Sequence, residues 1–218
     1  EILLLANSEG IVGEFFKNGQ HQAKLLGKWG QPAADLFRAE ALRQDKKLTQ
    51  AMPLYNSIIG ARKAAPAILA LAHQLRGDAH HFNDRHAEAI ADYRIALQTP
   101  AFPVNEVAAL YRKMRSAYRV GNDVETLELL TRLSKVGDLG TLFPVHIYEM
   151  GLEHYDSGRL AKAVPYFMFL ARTLPGHYRA DDALGYSILA LGEKSDEAKT
   201  LLKLLKKKYP NSFFITWV

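Results

Sequence analysis

Gly151–Leu152–Glu153–His154–Tyr155–Asp156–Ser157–Gly158–Arg159–Leu160–Ala161–Lys162–Ala163–Val164–Pro165–Tyr166–Phe167 lies in the stretch that decides the fold, Tyr148 to Phe214. This first line closes at Leu174–Pro175. A second line follows: Gly185–Tyr186, then Leu191–Gly192–Glu193–Lys194–Ser195–Asp196–Glu197–Ala198 and Leu201–Leu202, closing at Tyr209–Pro210. Ala163 and Ala198 are 35 residues apart, and so are Pro175 and Pro210. Two independent markers at one interval predict stacked helical hairpins, each a unit that buries its apolar face only against its neighbours.

The same register runs upstream. Small residues open successive second helices at Ala51, Ala89, Thr126, Ala163 and Ala198, at intervals of 38, 37, 37 and 35 residues. A bulky residue follows four positions later each time: Tyr55, Tyr93, Leu130, Phe167 and Leu202. A small side chain one turn before a large one lets a hairpin close while the large one fills the neighbouring groove. Asp45–Lys46–Lys47, Asn83–Asp84–Arg85 and Gly121–Asn122–Asp123 read as the turns between paired helices, and Gly77 marks a close helix approach. Thr99–Pro100 ends a helix, because the residue before a proline is pushed out of the helical region. Asn105 is a candidate N-cap after a link at 101–105, and Gly137 and Gly140 bracket a second link.

These features predict an all-α chain of about 10–12 helices. The repeat array spans 32–212, in units of about 32–66, 67–103, 104–140, 141–178 and 179–212. Residues 1–31 admit either a β-hairpin around Asn7–Ser8–Glu9–Gly10 or a degenerate helical unit. The turn-then-alanine pattern downstream favours the helical form. Residues 213–218 form an apolar tail that either covers the last hairpin or begins a further element. Glu1, where a Met would be expected, points to a processed protein or an excised piece.

The composition bounds the function. Charged residues make up 23% of the chain and the net charge is +5, a spread that by itself does not indicate nucleic acid. Cysteine is absent, which rules out disulfides and thiolate metal sites. No apolar run reaches the ~18–20 residues that a bilayer span needs. The sequence has no phosphate loop, no Gly-x-Ser-x-Gly elbow and no His-Glu-x-x-His, so a non-catalytic protein needing no cofactor is expected. His73, His80, His81 and His86 cluster, but not at the i, i+3 or i, i+4 spacing of helical metal ligands, and no metal site is expected. Asp181–Asp182 at a helix start and Lys203, Lys206, Lys207 and Lys208 at a helix end complement the helix dipole.

The pattern resembles tetratricopeptide repeats, on Gly77, Ala89, Tyr93 and Ala96 in one unit. Gly151, Gly158, Ala163, Phe167 and Pro175 carry it in another, and Gly192, Ala198, Leu202 and Pro210 in a third. That family's period is about 34 residues, so the longer intervals imply longer turns or helices. The resemblance implies a right-handed superhelix of antiparallel helix pairs whose first helices line a concave groove. It also implies a scaffold that binds a protein or peptide there. The junctions around Leu174–Pro175 and Tyr209–Pro210–Asn211–Ser212 are similar to those of bacterial envelope repeat proteins, the outer-membrane assembly lipoprotein and Tol–Pal coordinator type. They imply a periplasmic or cell-envelope location, with the cytoplasm as the alternative.

Under that resemblance the groove residues are Tyr111, Arg115, Tyr118 and Arg119, with Tyr148, Tyr155 and His81 beside them. Arginine with tyrosine suits an acidic or extended peptide. The competing reading is a solvated basic helix with its tyrosines in the core. Two other functions stay open. One is an accessory domain of a larger envelope enzyme such as a lytic transglycosylase. The other is an RNA- or anion-binding array using the helix at 111–119. Homo-oligomerisation through exposed apolar groove surface is a further possibility.

Overall fold

Each hairpin reverses at a residue in the left-handed backbone region. Lys46 (φ 61°), Asp84 (φ 57°), Gly121 (φ 75°), Gly158 (φ 73°) and Gly192 (φ 78°) occupy these turns. Such a residue ends one helix and aims the chain back along it. The computed structural model describes residues 30–61, 64–98, 106–136 and 142–217. Residues 1–29 of the N-terminal unit, the Asn105 cap and the two links at 101–105 and 137–140 lie outside the described residues.

The described residues form eleven helices and no strand. They are α1 (Gly30–Gln44), α2 (Leu48–Gly60), α3 (Pro66–His81), α4 (His86–Leu97), α5 (Glu106–Arg119), α6 (Asp123–Val136), α7 (Leu142–Asp156), α8 (Leu160–Thr173), α9 (Ala180–Leu191), α10 (Asp196–Lys208) and the single turn α11 (Phe214–Trp217). None is long and apolar enough to cross a membrane. The fold is all-α, as the periodicity predicts. The chain divides into two compact units, Glu1–Leu129 and Leu130–Val218, with the division inside α6.

In the first unit each helix packs on the next in the order α1 to α5, and the alternate helices α1, α3 and α5 also pack together. This is the contact pattern of stacked hairpins. Gly77 on α3 lies beneath the ring of Tyr93 on α4, and a Cβ there would sit 3.0 Å from it. The small residues Ala51, Ala89 and Thr126 are fully buried, and so are Tyr55 and Tyr93 four residues after the first two. Asn122 caps α6, accepting from the Glu125 backbone N–H at 3.2 Å.

In the second unit α7, α8, α9 and α10 pack in sequence, and α11 rests on both α9 and α10. Gly151 lies under Phe167, with a Cβ position 2.6 Å from the ring. The last hairpin departs from the aligned register. Leu202 is only half-buried, while Leu201 and Leu205 point inward. Phe214 of α11 fills the seat over Gly185, and a Cβ there would stand 2.1 Å from its ring. The apolar tail therefore folds back on the last hairpin. The interval from glycine to the aligned bulky residue is 16 residues for Gly77–Tyr93 and Gly151–Phe167 but 17 for Gly185–Leu202. That extra residue rotates Leu202 off the contact face. Ser195 caps α10, accepting from the Ala198 N–H at 3.1 Å.

Candidate functional site

α3 carries a polar stripe at i, i+4 and i+7, Gln74, Asp78 and His81, all buried, and the last two meet α5. Asp78 accepts from the Tyr93 hydroxyl at 2.8 Å and pairs with Arg112 of α5. Burial pushes the Asp78 carboxyl up, although Arg112 and Tyr93 pull it down. His81 Nδ1 and Ser116 Oγ of α5 lie 2.8 Å apart in the interior. Burial lowers the His81 pKa to about 4, helped by the nearby positive charges of His86, Arg115 and Arg112. The imidazole is thus neutral and ties α3 to α5 by a neutral hydrogen bond.

A second cluster stands at the α3–α4 contact. Arg76 donates to both oxygens of buried Asp92, at 2.7 and 2.9 Å, and to Asn56 of α2 at 2.7 Å. His73 Nδ1 is 2.8 Å from Asp92, and His80 Nε2 is 3.8 Å from it. Burial alone would raise the Asp92 carboxyl, but the hydrogen bonds with His73 and Arg76 hold it below the usual range. His73 and His80, seven residues apart, share a helix face as their spacing implies, and that face meets a carboxylate. Among the described residues no group of three or more His, Asp or Glu side chains is placed to hold a metal ion.

The face of α5 carries four cations in two kinds of environment. Arg112 pairs with Asp78, and Lys113 Nζ lies 2.8 Å from a Glu125 carboxylate oxygen. Arg115 is half-buried, with its guanidinium 5.9 Å from the centre of the Tyr111 ring. Arg119, one turn on, is exposed. Neither Arg115 nor Arg119 has a carboxylate partner among the described residues. Tyr111 is half-buried and Tyr118 is buried. Phe82, 60% exposed at the end of α3, lies under the Arg112 guanidinium at 5.4 Å.

Tyr148 and Tyr155 of α7 meet in the second unit through one ring, Tyr186 of α9. The centroid distances are 6.1 and 5.0 Å. Tyr186 also stacks on Phe167 at 5.4 Å and meets Phe214 edge-on at 5.2 Å. Tyr148 is buried, Tyr155 is half-buried, and burial raises both phenols. Arg179 lies over Tyr148 at 5.1 Å and over exposed Tyr178 at 5.3 Å, and donates to Asp182 at 2.7 Å.

Sequence reasoning missed Asp78, Asp92, Arg76, Arg179 and Tyr186. One signal was available for Asp78. Glu40 precedes Tyr55 by 15 residues, as Asp78 precedes Tyr93, and each tyrosine hydroxyl donates to its acid. In both places the acid directly follows a small residue, Ala39 or Gly77.

Comparison with curated protein sequences gives no match. Solved structures with a similar fold include the following two. YrrB, described as a TPR protein with an unusual peptide-binding site, aligns at 17% identity and a TM-score of 0.51, over 83% of this chain and 88% of its own. The MamA protein aligns at 17% identity and a TM-score of 0.53, over 82% of this chain and 92% of its own. A tetratricopeptide-repeat family model matches residues 148–213. The resemblance to tetratricopeptide repeats is thus supported by that model across the last two hairpins and by these structures for the fold.

Proposed function

We propose that the chain is a non-catalytic scaffold that holds a protein or peptide segment against α5. Arg115 and Arg119 pair with acidic groups of the partner, and Tyr111 supplies flat contact beside them. The observation that carries this reading is the division among the cations of α5. Arg112 and Lys113 are engaged with carboxylates of the fold. Arg115 and Arg119 stand one turn apart with no such partner among the described residues. Like charges at this spacing repel, and an incoming carboxylate relieves that repulsion. The peptide-binding site named for YrrB supports the class of ligand.

Tyr155, in the second unit, is a separate candidate contact in this reading. His81, bonded to Ser116 of α5, braces that helix, while Tyr118 and Tyr148 are buried. The test is fluorescence anisotropy with acidic, neutral and basic peptides of equal length. The double variant Arg115→Ala/Arg119→Ala is expected to weaken the acidic peptide at least about tenfold, for the loss of two charge-assisted contacts, with helicity unchanged. Equal affinity in wild type and double variant sinks the assignment. The junctions at Pro175 and Pro210 support a bacterial periplasmic or envelope setting, and recovery of the native protein with cytosolic markers on fractionation would overturn it.

A further inference from the structure

Residues 200–218 contain four lysines, no arginine and no acidic side chain, so they hold four of the five net positive charges of the chain. All four, Lys203, Lys206, Lys207 and Lys208, are exposed. None has a carboxylate partner among the described residues, whereas Lys199, a turn earlier, pairs with Asp196 at 3.1 Å. Lys203, Lys206 and Lys207 fall on the side of α10 away from buried Ala198, Leu201 and Leu205.

Shortly after this stripe in the chain come two large exposed apolar side chains. Tyr209 N–H bonds to Leu205 and Ser212 N–H to Tyr209, at 2.8 and 2.9 Å, so α10 passes into α11 through a hydrogen-bonded turn. The Tyr209 hydroxyl anchors that turn to the Pro175 carbonyl at 2.6 Å. α11 seats Phe214 inward over Gly185 and leaves Phe213 and Trp217 66% and 59% exposed. Their rings touch each other, with centroids 5.6 Å apart, and form one outward apolar knob.

We infer that the α10 lysine face and the Phe213–Trp217 knob form a docking surface for an anionic lipid bilayer. Lysine is a compact point charge suited to diffuse attraction by anionic headgroups, without the planar fork that reads bidentate acids. Tryptophan and phenylalanine insert at the boundary between headgroups and acyl chains. Each lysine held at an anionic surface contributes roughly a fivefold gain in partitioning, so the lysines and the knob together make a reversible peripheral contact. This surface is independent of the one assigned to peptide binding on α5.

The experiment is co-sedimentation of the full chain with vesicles of pure phosphatidylcholine and of phosphatidylcholine mixed with phosphatidylglycerol. Sedimentation with the mixed vesicles alone, lost as salt is raised, is the expected result. Lys206→Glu with Lys207→Glu lowers partitioning more than about tenfold. Phe213→Ser with Trp217→Ser abolishes insertion while far-UV circular dichroism is unchanged, since both side chains are exposed. In a Trp29→Phe background Trp217 is the sole tryptophan, and its emission shifts to the blue on mixed vesicles. No sedimentation with mixed vesicles overturns the inference. So does sedimentation that neither variant pair reduces, or retention on single-stranded RNA without vesicle binding.

Discussion

Lys46 has a φ of 61° at the α1–α2 turn, in the region where a Cβ crowds the following carbonyl. Asp84 is in the same region at the α3–α4 turn, while the next three hairpins place glycine there. The positions 46, 84, 121, 158 and 192 step by 38, 37, 37 and 34 residues, so the turn repeats with the array even where the residue type changes. Glycine at such a site removes a strain of about 1–2 kcal/mol but gains unfolded-state entropy worth about 0.4–1 kcal/mol. Lys46→Gly should therefore stabilise by about 0.5 kcal/mol, and Asp84→Gly by less, because a short polar side chain tolerates the region. The reverse change, Gly158→Ala, should destabilise by about 0.5–1 kcal/mol. Urea unfolding midpoints at constant slope measure all three, and a Lys46→Gly protein less stable than wild type would contradict the account.

Two hairpins close by a ring laid on a glycine, Tyr93 on Gly77 and Phe167 on Gly151, and the last hairpin obtains its ring from outside the pair. Phe214 is 5% exposed and touches Gly185 and Tyr186, whereas Leu202, its counterpart by spacing, is half-buried. Truncating a buried phenylalanine costs about 3–5 kcal/mol. Phe214→Ala should thus lower the stability of the second unit by about 3 kcal/mol, and Leu202→Ala by distinctly less. Hydrogen exchange across α9 would show it, and comparable loss from both variants would refute the substitution of one side chain for the other. This is also where the legibility of the sequence stops. Ala51, Ala89, Thr126 and Ala163 are local markers on one helix face, so periodicity alone finds them and, with them, the hairpins. The pairing of Asp78 with Arg112 spans 34 residues and depends on which faces of α3 and α5 meet. The Arg/Tyr helix could be picked out as a candidate, but whether an arginine pairs with a carboxylate of the fold, as Arg112 does, or has none among the described residues, as with Arg115, is set by that packing. Phe214 lay outside the repeat that had set the register, and so its seat could not be assigned from spacing.

At the scale of the whole chain the two units are built on different interiors. The first holds ions and imidazoles, with Asp78, Asp92, His73, His80 and His81 all buried. The second holds mainly rings, with Phe167, Tyr186 and Phe214 around Gly151 and Gly185, and one buried imidazole, His154, stacked on Tyr166. Acid should distinguish them. Burial holds His81 near pKa 4, below its ordinary 6.5, and His80 is lowered for the same reason. Between those values the unfolded chain binds more protons than the native one, so the contribution is complete above about pH 6.5 and is lost as pH falls towards 4. Asp92, held below the usual carboxylate range, adds a loss of the same sign at lower pH, while Asp78, raised by burial, works the other way there. The histidines lose their contribution from about pH 6.5 downward. Each pH unit crossed there by one fully uncoupled histidine costs about 1.4 kcal/mol, so His81 should remove about 2 kcal/mol from the first unit by about pH 5. Hydrogen exchange followed by mass spectrometry should show α3 to α5 losing protection over that interval while α8 and α9 keep theirs. His81→Gln, which retains a hydrogen-bonding group for Ser116 but does not titrate, should flatten the slope. A His81→Gln protein whose first unit still weakens by the same amount would place the proton elsewhere.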